Sequence, residues 1–512
     1  MERPTVTLSL PENANPRQVT PNAALNLLLH YARQQHHSVV DTILKQLLPH
    51  AAEAEHGYSQ LLNLYLKQGE YSCVERYAKM AATDLGPRPM FTHALAISLR
   101  YQNRHEEAID FLSKNLALMQ NNASLHNMKG VLQMDKGEAL SALHSFTSGL
   151  DYDPELAEIY WNLTNIAPDT IAVYVKALVE RVQSPVTNDR DRAHYAYSLF
   201  RWYESKGQHE EAWHALQIGA KAKRKTLHYS ADDSVKEHSR LSEIFSNEQA
   251  WSVNSNSAEI QPIFICGMPR SGTSLLEQML SCHKDIIAGG ERIDFVNATR
   301  DTLAKMSIKT DYPSIVASLE PLTLLAIAER YLHSTKTLQV RKHFTDKMPL
   351  NYKAIPLIRK VFPKAKVILC RRQPFALCFA NYRQLFVEAA PYSYDLNELS
   401  TYFLTYDHLV DTYLAKNGRE IFVLPYEQLV TDTEKIFRNL CTYLDIDFDS
   451  RCLSPHLSTA LCRTASVSQI RKPIDSKIKA DWKPYASKLD DLLASLQESV
   501  KQYELRYGRY YN

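Results

Sequence analysis

The stretch 262–282, PIFICGMPRSGTSLLEQMLSC, decides how the second half of this chain is read. An apolar run, Ile263 to Cys266, meets a glycine turn and passes into a helical pattern. Gly267 and Gly272 have the G-x-x-x-x-G spacing of a P-loop. Thr273 stands where an ATPase would carry its loop lysine, with Ser274 after it, and the nearby cation is Arg270, inside the loop. Backbone N–H groups of Ser271, Gly272, Thr273 and Ser274 are expected to point outward at a helix N-terminus, where the dipole favours an anion. The hydroxyls of Ser271, Thr273 and Ser274 add donors. With no lysine to reach β- and γ-phosphates, the loop suits a phosphorylated ligand other than ATP.

Outward from this loop, strand-like runs recur at 367–370 and 421–424, with helical patterns between them. That alternation predicts a parallel sheet covered by helices, with ligands at the carboxyl ends of the strands. The glycine loop follows the first run, Arg371-Arg372 the second, and Pro425-Tyr426-Glu427 the third.

The first half is a repeat. Turn residues Gln35, Gly69, Asn103 and Gly137 are each 34 positions apart, and Gly207 lies 70 beyond Gly137. Ala108, Ala142 and Ala212 each follow their turn by five positions, where two helices must approach closely. A helix–turn–helix unit of this period resembles the tetratricopeptide repeat, which implies a right-handed solenoid with a concave face. Such a face suits a peptide or protein partner, or self-association; a plain scaffold arm is the alternative. Tyr101, Tyr160, Trp161 and Trp202 read as repeat core. The predicted division is a tetratricopeptide helical domain at 1–225, a linker at 226–258, and an α/β P-loop-like domain with a central parallel sheet at 259–512.

The chain has 512 residues, too many for one core, and its 45% hydrophobic and 23% charged content is that of a globular protein. A net charge of +2 argues against a chain dominated by nucleic-acid binding. No run reaches the length of a membrane span, and the N-terminal residues lack a signal-peptide core. The eight cysteines form no C-x-x-C pair and read as reduced core residues in a cytoplasmic protein. No cluster has metal-ligand spacing.

Several blocks in order carry a family resemblance: GMPRSGTSLLEQML, GGE at 289–291, DKMP at 346–349, CRRQP at 370–374, PYEQLV at 425–430, and TASVSQIRKPI at 464–474 followed by Trp482. From about Ile260 to Tyr485 the chain resembles sulfotransferases that use 3′-phosphoadenosine 5′-phosphosulfate (PAPS), and most of all the tyrosylprotein and bacterial tetratricopeptide-repeat members. The resemblance implies that PRSGTS at 269–274 holds the 5′-phosphosulfate, with Arg270 at the site centre. It makes Glu291 the base that takes the acceptor's proton, and Lys347 the cation on the bridging oxygen, assisted by Ser466. Arg372 is implied as a 3′-phosphate ligand, with Tyr426 and Lys472 as further cofactor contacts. No metal is required, because protein cations hold the leaving phosphate.

At the 3′-phosphate the chain departs from the family. The serine expected eight residues after Arg372 is Ala380, and the usual Arg-Asp-Pro reads Arg372-Gln373-Pro374. Asn381 is expected to take over the missing hydrogen bond. His283 reads as a satisfied or exposed loop histidine, and Asp346 as a residue that supports the site or caps a helix. The leading expectation is sulfuryl transfer from PAPS to an acceptor hydroxyl, on a protein or peptide. The alternative is a scaffold or binding protein carrying an inactive sulfotransferase-like domain.

Overall fold

Ile263, Phe264, Ile265 and Cys266 are all buried, and they form the expected strand. A strand apolar on both faces belongs inside a covered parallel sheet. The computed structural model describes residues 5–9, 17–119, 122–247, 260, 262–308, 312–387, 389–458, 460–464, 467–478 and 480–511. Near the start, β1 (Val6–Leu8) and β2 (Arg17–Val19) form a short antiparallel pair. The strand in question is therefore β3 (Ile263–Cys266), and it is joined by β4 (Ile286–Ile287), β5 (His343–Asp346), β6 (Lys366–Arg371) and β7 (Ile421–Pro425). These five make one sheet in the order β4-β5-β3-β6-β7, with every neighbouring pair parallel. Ile263 sits opposite Thr345 on one side and Lys366 on the other.

Alternation along β3 supplies two cores. Ile263 and Ile265 pack with Leu276 and Leu280 of the helix Thr273–Ser281, and with Phe437 and Leu440 of the helix Thr433–Leu444. Phe264 faces the other way and meets Phe295, Tyr331 and Phe362 with ring centroids 5.6 to 6.3 Å apart. Each such side chain contributes about 1.5–3 kcal/mol on burial, so packing on two faces, more than a few ladder bonds, holds so short a strand. Because all five strands run the same way, the segments after them gather at one edge of the sheet.

The chain divides into two compact units, Met1–Asn162 and Leu163–Asn512. In the first, helices come in pairs: Pro21–Arg33 with His37–Leu47, Ala51–Gln68 with Tyr71–Leu85, Pro89–Tyr101 with His105–Leu118, and Ala123–Lys136 with Ala139–Tyr152. Each pair turns on a residue in the left-handed region: Gln35 (φ 59°), Gly69 (68°), Asn103 (62°) and Gly137 (87°). The residue after each turn donates its N–H to the carbonyl five positions before it, as Glu70 does to Tyr65 and Glu138 to Gln133. This is the Schellman closure of a helix C-terminus, repeated at equal spacing. Ala108 and Ala142, on the return helices, are fully buried. Tyr160 and Trp161 are buried as expected, but Tyr101 is not core: it lies at the surface and stacks on Tyr71 at 4.4 Å.

The second unit begins earlier than the boundary implied by the repeat spacing. The pair Asp189–Ser205 and His209–Lys225 belongs to it, turning at Gly207 (φ 72°) in the same way. Within the stretch expected as linker, Ala231–Phe245 is helical. Its His238 is fully buried, hydrogen-bonded to Thr405 Oγ1 at 2.8 Å and Tyr352 Oη at 2.9 Å. Burial, with Lys353 nearby, pushes that imidazole down to about 3, so it is neutral and serves as a packed connector. Residues 248–259, the rest of the expected linker, lie outside the described residues. Among the described residues no helix is long and apolar enough to cross a membrane.

Candidate active site

The glycine loop turns sharply because three of its residues have positive φ: Gly267 (139°), Arg270 (68°) and Gly272 (103°). Gly267 N–H donates to Pro349 O at 3.1 Å, which ties the loop to the segment after β5. A Cβ at Gly272 would lie 2.8 Å from the ring of Tyr426, so glycine lets the loop close on that ring. The helix then starts at Thr273. Of the four amides expected to face a ligand, that of Ser271 is taken inside the loop by Met268 O at 3.2 Å. Ser271 is 1% exposed, and its Oγ is buried without a hydrogen-bond partner among the described residues.

Beside the loop lies a cavity of about 900 Å³. Arg270, Gly272, Thr273, Ser274, Arg372 and Tyr426 line it, as does Lys472; Ser271 and Asn381 do not. Arg372 follows β6 and lays its guanidinium over the Tyr426 ring at 4.8 Å, while its Nη1 donates to Arg270 O at 3.3 Å. Arg372 Nε is buried without a hydrogen-bond partner among the described residues. Arg270 Nη2 donates to Gln469 Oε1 at 2.8 Å. Burial first, then the cations Arg372 and Arg383, push the Arg270 guanidinium down to about 10. An anion bound beside Arg270 would relieve that penalty.

Glu291, in the GGE turn, and Lys347, directly after β5, meet each other. Lys347 Nζ donates to Glu291 Oε1 at 2.6 Å, and Glu277 Oε2 lies 4.0 Å from the same nitrogen. Glu277, on the loop helix, also accepts from Gly290 N at 2.9 Å and Thr345 Oγ1 at 2.8 Å. One carboxylate therefore binds the P-loop helix, the GGE turn and β5 into a unit. A Cβ at Gly289 would come within 2.1 Å of Thr345 O, so that turn can approach β5 only as glycine. Burial works against the charge on Lys347, but Glu291 and Glu277 outweigh it and hold its pKa above the ordinary lysine value. Neither Glu291 nor Lys347 lines the cavity.

The segment from Gln373 to Asn381 has its own logic. Gln373 caps the helix Pro374–Tyr382 by accepting from Ala376 N at 2.7 Å, the service an aspartate would give. Its N–H donates to the buried Glu427 carboxylate at 3.1 Å, joining the segments after β6 and β7. Ala380 lines the cavity with a methyl group. Asn381 does not fill in for it: its Nδ2 is committed to Pro269 O and Leu377 O, both at 2.9 Å. Asn381 instead braces the glycine loop from beneath. Ser466 lies outside the described residues. His283 is fully buried and satisfied by Asp447 O at 2.9 Å. Asp346 is fully buried, accepting from Tyr331 Oη and Asn351 Nδ2, both at 3.0 Å.

Sequence reasoning missed one wall of the cavity. Thr164, Asn165, Arg201, Glu204 and His209 line it, all from helical segments before the sheet. No motif marks them, because they sit in what reads as repeat. Among the described residues no group of three or more His, Cys, Asp or Glu side chains could hold a metal ion.

Residues 262–450 match the model of the sulfotransferase family. An uncharacterized protein of Aquifex aeolicus (strain VF5) is 24% identical over 433 residues, covering 79% of this chain and 57% of the relative. Protein-tyrosine sulfotransferase 1 of Danio rerio is 24% identical over 225 residues, covering 42% of this chain and 62% of the relative. The matches thus span less than two thirds of either relative's length. Among solved structures, the sulfotransferase domain of the Synechococcus PCC 7002 olefin synthase aligns at 21% identity and a TM-score of 0.33, over 44% of this chain and 88% of that one.

Proposed function

We propose that this chain transfers a sulfuryl group from PAPS to an acceptor hydroxyl, with the tyrosine of a protein or peptide as the acceptor class. The observation that carries the reading is the Glu291–Lys347 pair at 2.6 Å, anchored through Glu277 to the helix of the glycine loop. The nucleotide fits the cavity chemically: Arg270, Arg372 and Lys472 offer cations, Tyr426 a ring, and Arg372 Nε a buried donor without a hydrogen-bond partner among the described residues.

When bound, PAPS supplies an activated sulfuryl group: an acceptor oxygen–sulfur bond forms, the bridging oxygen–sulfur bond breaks, and 3′-phosphoadenosine 5′-phosphate leaves. Glu291 takes the proton of the acceptor hydroxyl. Lys347, held protonated, sets its charge against the oxygen that becomes anionic. Arg270 and the loop amides orient the reacting group. Ser466 is assigned as a second donor at the bridging oxygen on the family resemblance alone. The tyrosyl acceptor rests on the likeness to protein-tyrosine sulfotransferases. The paired helices of the first unit are read as tetratricopeptide repeats that recruit the acceptor or a partner protein, in a cytoplasmic setting.

A second reading, a binding protein with an inactive domain, draws on Ala380, which gives the cavity no donor. The deciding experiment incubates the full chain with PAPS carrying radiolabelled sulfate and tyrosine-containing peptides. Transfer by the unaltered chain, lost in Glu291→Ala, is the expected result. Binding of 3′-phosphoadenosine 5′-phosphate without transfer to any hydroxyl acceptor would favour the second reading.

A further inference from the structure

We infer that Arg201, on the helix Asp189–Ser205, binds the 3′-phosphate of the nucleotide together with Arg372, replacing the hydroxyl that Ala380 does not supply. The inference rests on the nucleotide reading above and names a ligand that lies outside the family-matched segment.

Arg201, Arg372, Ala380 and Gln384 line the same cavity. Arg201 is fixed there by two neutral amides: Nη1 donates to Asn165 Oδ1 at 2.6 Å and Nη2 to Gln384 Oε1 at 3.2 Å. These bonds orient the guanidinium at the cavity wall. Gln384 follows the helix Pro374–Tyr382 about one turn beyond Ala380, so the fork is anchored near the position where the hydroxyl is missing. The neighbouring cation, Arg383, is differently placed: it is paired with Glu204 and, at 2.9 Å, with Asp481. Asn381, the residue nearest in sequence to the gap, has its NH₂ turned to Pro269 O and Leu377 O.

Charge points the same way. Among the described residues, six lysines and arginines line the cavity against three carboxylates, an excess suited to a ligand carrying both a phosphate and a phosphosulfate. Burial, then Arg383 and Arg270, push the Arg201 guanidinium down to about 9 against a smaller opposing pull from Glu204, and a bound dianion would work in the same direction as Glu204. A guanidinium fork matches phosphate geometry better than a hydroxyl, so the exchange of serine for a distant arginine keeps the contact and changes its source.

The test is calorimetry on the full chain with two nucleotides, 3′-phosphoadenosine 5′-phosphate and adenosine 5′-phosphate. Arg201→Ala should weaken the first by about 10- to 100-fold, the span of a charge-assisted hydrogen bond, and leave the second within about twofold. Ala380→Ser added to Arg201→Ala should recover part of the loss. Arg201→Gln, which can still donate to Asn165, is measured alongside in case the alanine variant does not fold, with the same split expected. Unchanged affinity for both nucleotides, or an equal loss on both, overturns the assignment and leaves the sulfotransferase reading standing. No binding of 3′-phosphoadenosine 5′-phosphate by the unaltered chain overturns both.

Discussion

Lys347 donates to Glu291 across 2.6 Å, yet the two see different surroundings: the Lys347 side chain is 0% exposed and that of Glu291 is 40% exposed. The cation is locked inside, and the carboxylate is the partner that solvent and an incoming hydroxyl can reach. On the proposed reading this gives a division of labour, with an exposed base and a buried charge.

Replacing the base should therefore leave the nucleotide site intact. Glu291→Ala is expected to lower kcat by about 10²- to 10⁴-fold, the usual worth of a positioned general base. Affinity for 3′-phosphoadenosine 5′-phosphate, measured by calorimetry, should stay within about twofold because Glu291 does not line the cavity proposed for the nucleotide. Transfer at the unaltered rate would falsify the role.

Replacing the fixed charge should do more. Lys347→Met leaves Glu277 and Glu291 facing each other without a cation. Loss of about 2 kcal/mol of stability is expected, the scale of a hydrogen bond to a charged group, discounted for the exposure of Glu291. Urea unfolding measures this, and kcat should fall with it. An unchanged midpoint would mean that the pair contributes nothing to the fold.

Asp346, next in the chain to Lys347, gives a stability term with a defined sign. Burial first, then the nearby Asp294, push its carboxyl up to about 7. An unfolded aspartate titrates near 3.9, so between about pH 4 and pH 7 the folded state holds a proton that the unfolded state has released. This contribution is present at the acid end and is lost as pH rises through about 7, at a slope of at most about 1.4 kcal/mol per pH unit. Asp346→Asn can keep the bonds to Tyr331 and Asn351, and it should flatten the thermal-melting profile between pH 5 and pH 7. A profile as steep as that of the unaltered chain would assign the slope to another group.

Two glycines separate crowding from backbone strain. Gly272→Ala meets both, with φ at 103° and Tyr426 2.8 Å from the new Cβ. Gly207→Ala meets strain alone, since nothing lies within 4 Å of its Cβ position. Each should lose about 1–2 kcal/mol of stability from the left-handed conformation. Nucleotide affinity should fall about tenfold in Gly272→Ala and stay unchanged in Gly207→Ala. Equal affinities in the two variants would show that Tyr426 does not report on the ligand.

A fragment covering 259–512 keeps the whole sheet but lacks Asn165, Arg201 and Glu204 from the cavity wall. It is expected to bind 3′-phosphoadenosine 5′-phosphate at least about tenfold more weakly than the full chain, if it folds. Full affinity in the fragment would show that those helices are dispensable to the site.

Much of this architecture is legible in the sequence, for reasons that also mark where legibility ends. β3 and β6 read as strands because they are buried on both faces and so carry apolar residues in succession, and β7 because it too is an apolar run, with Phe422 and Val423 half-buried. β4 is two residues long, and β5 devotes Thr345 and Asp346 to hydrogen bonds with Glu277, Tyr331 and Asn351, so neither has a strand's composition. The left-handed turns of the helix pairs are legible because their chemistry repeats at fixed spacing. Asn381 shows the opposite case: its neighbour in sequence is in the cavity wall, while its own amide turns back under the glycine loop. Arg201 has no local signature, because what gives it meaning is a residue 183 positions away.

That separation has a kinetic and metabolic side. Joining Arg201 to Gln384 closes a long segment of chain, and the entropy of that closure must be met before the contact stabilises the fold. A nucleotide touching both walls would bind the finished fold and not its precursors. At a concentration 100 times its dissociation constant it would add about 2.7 kcal/mol to the stability of that fold. The cell's supply of nucleotide would then govern how long each newly made chain survives proteolysis, as well as how fast it turns over.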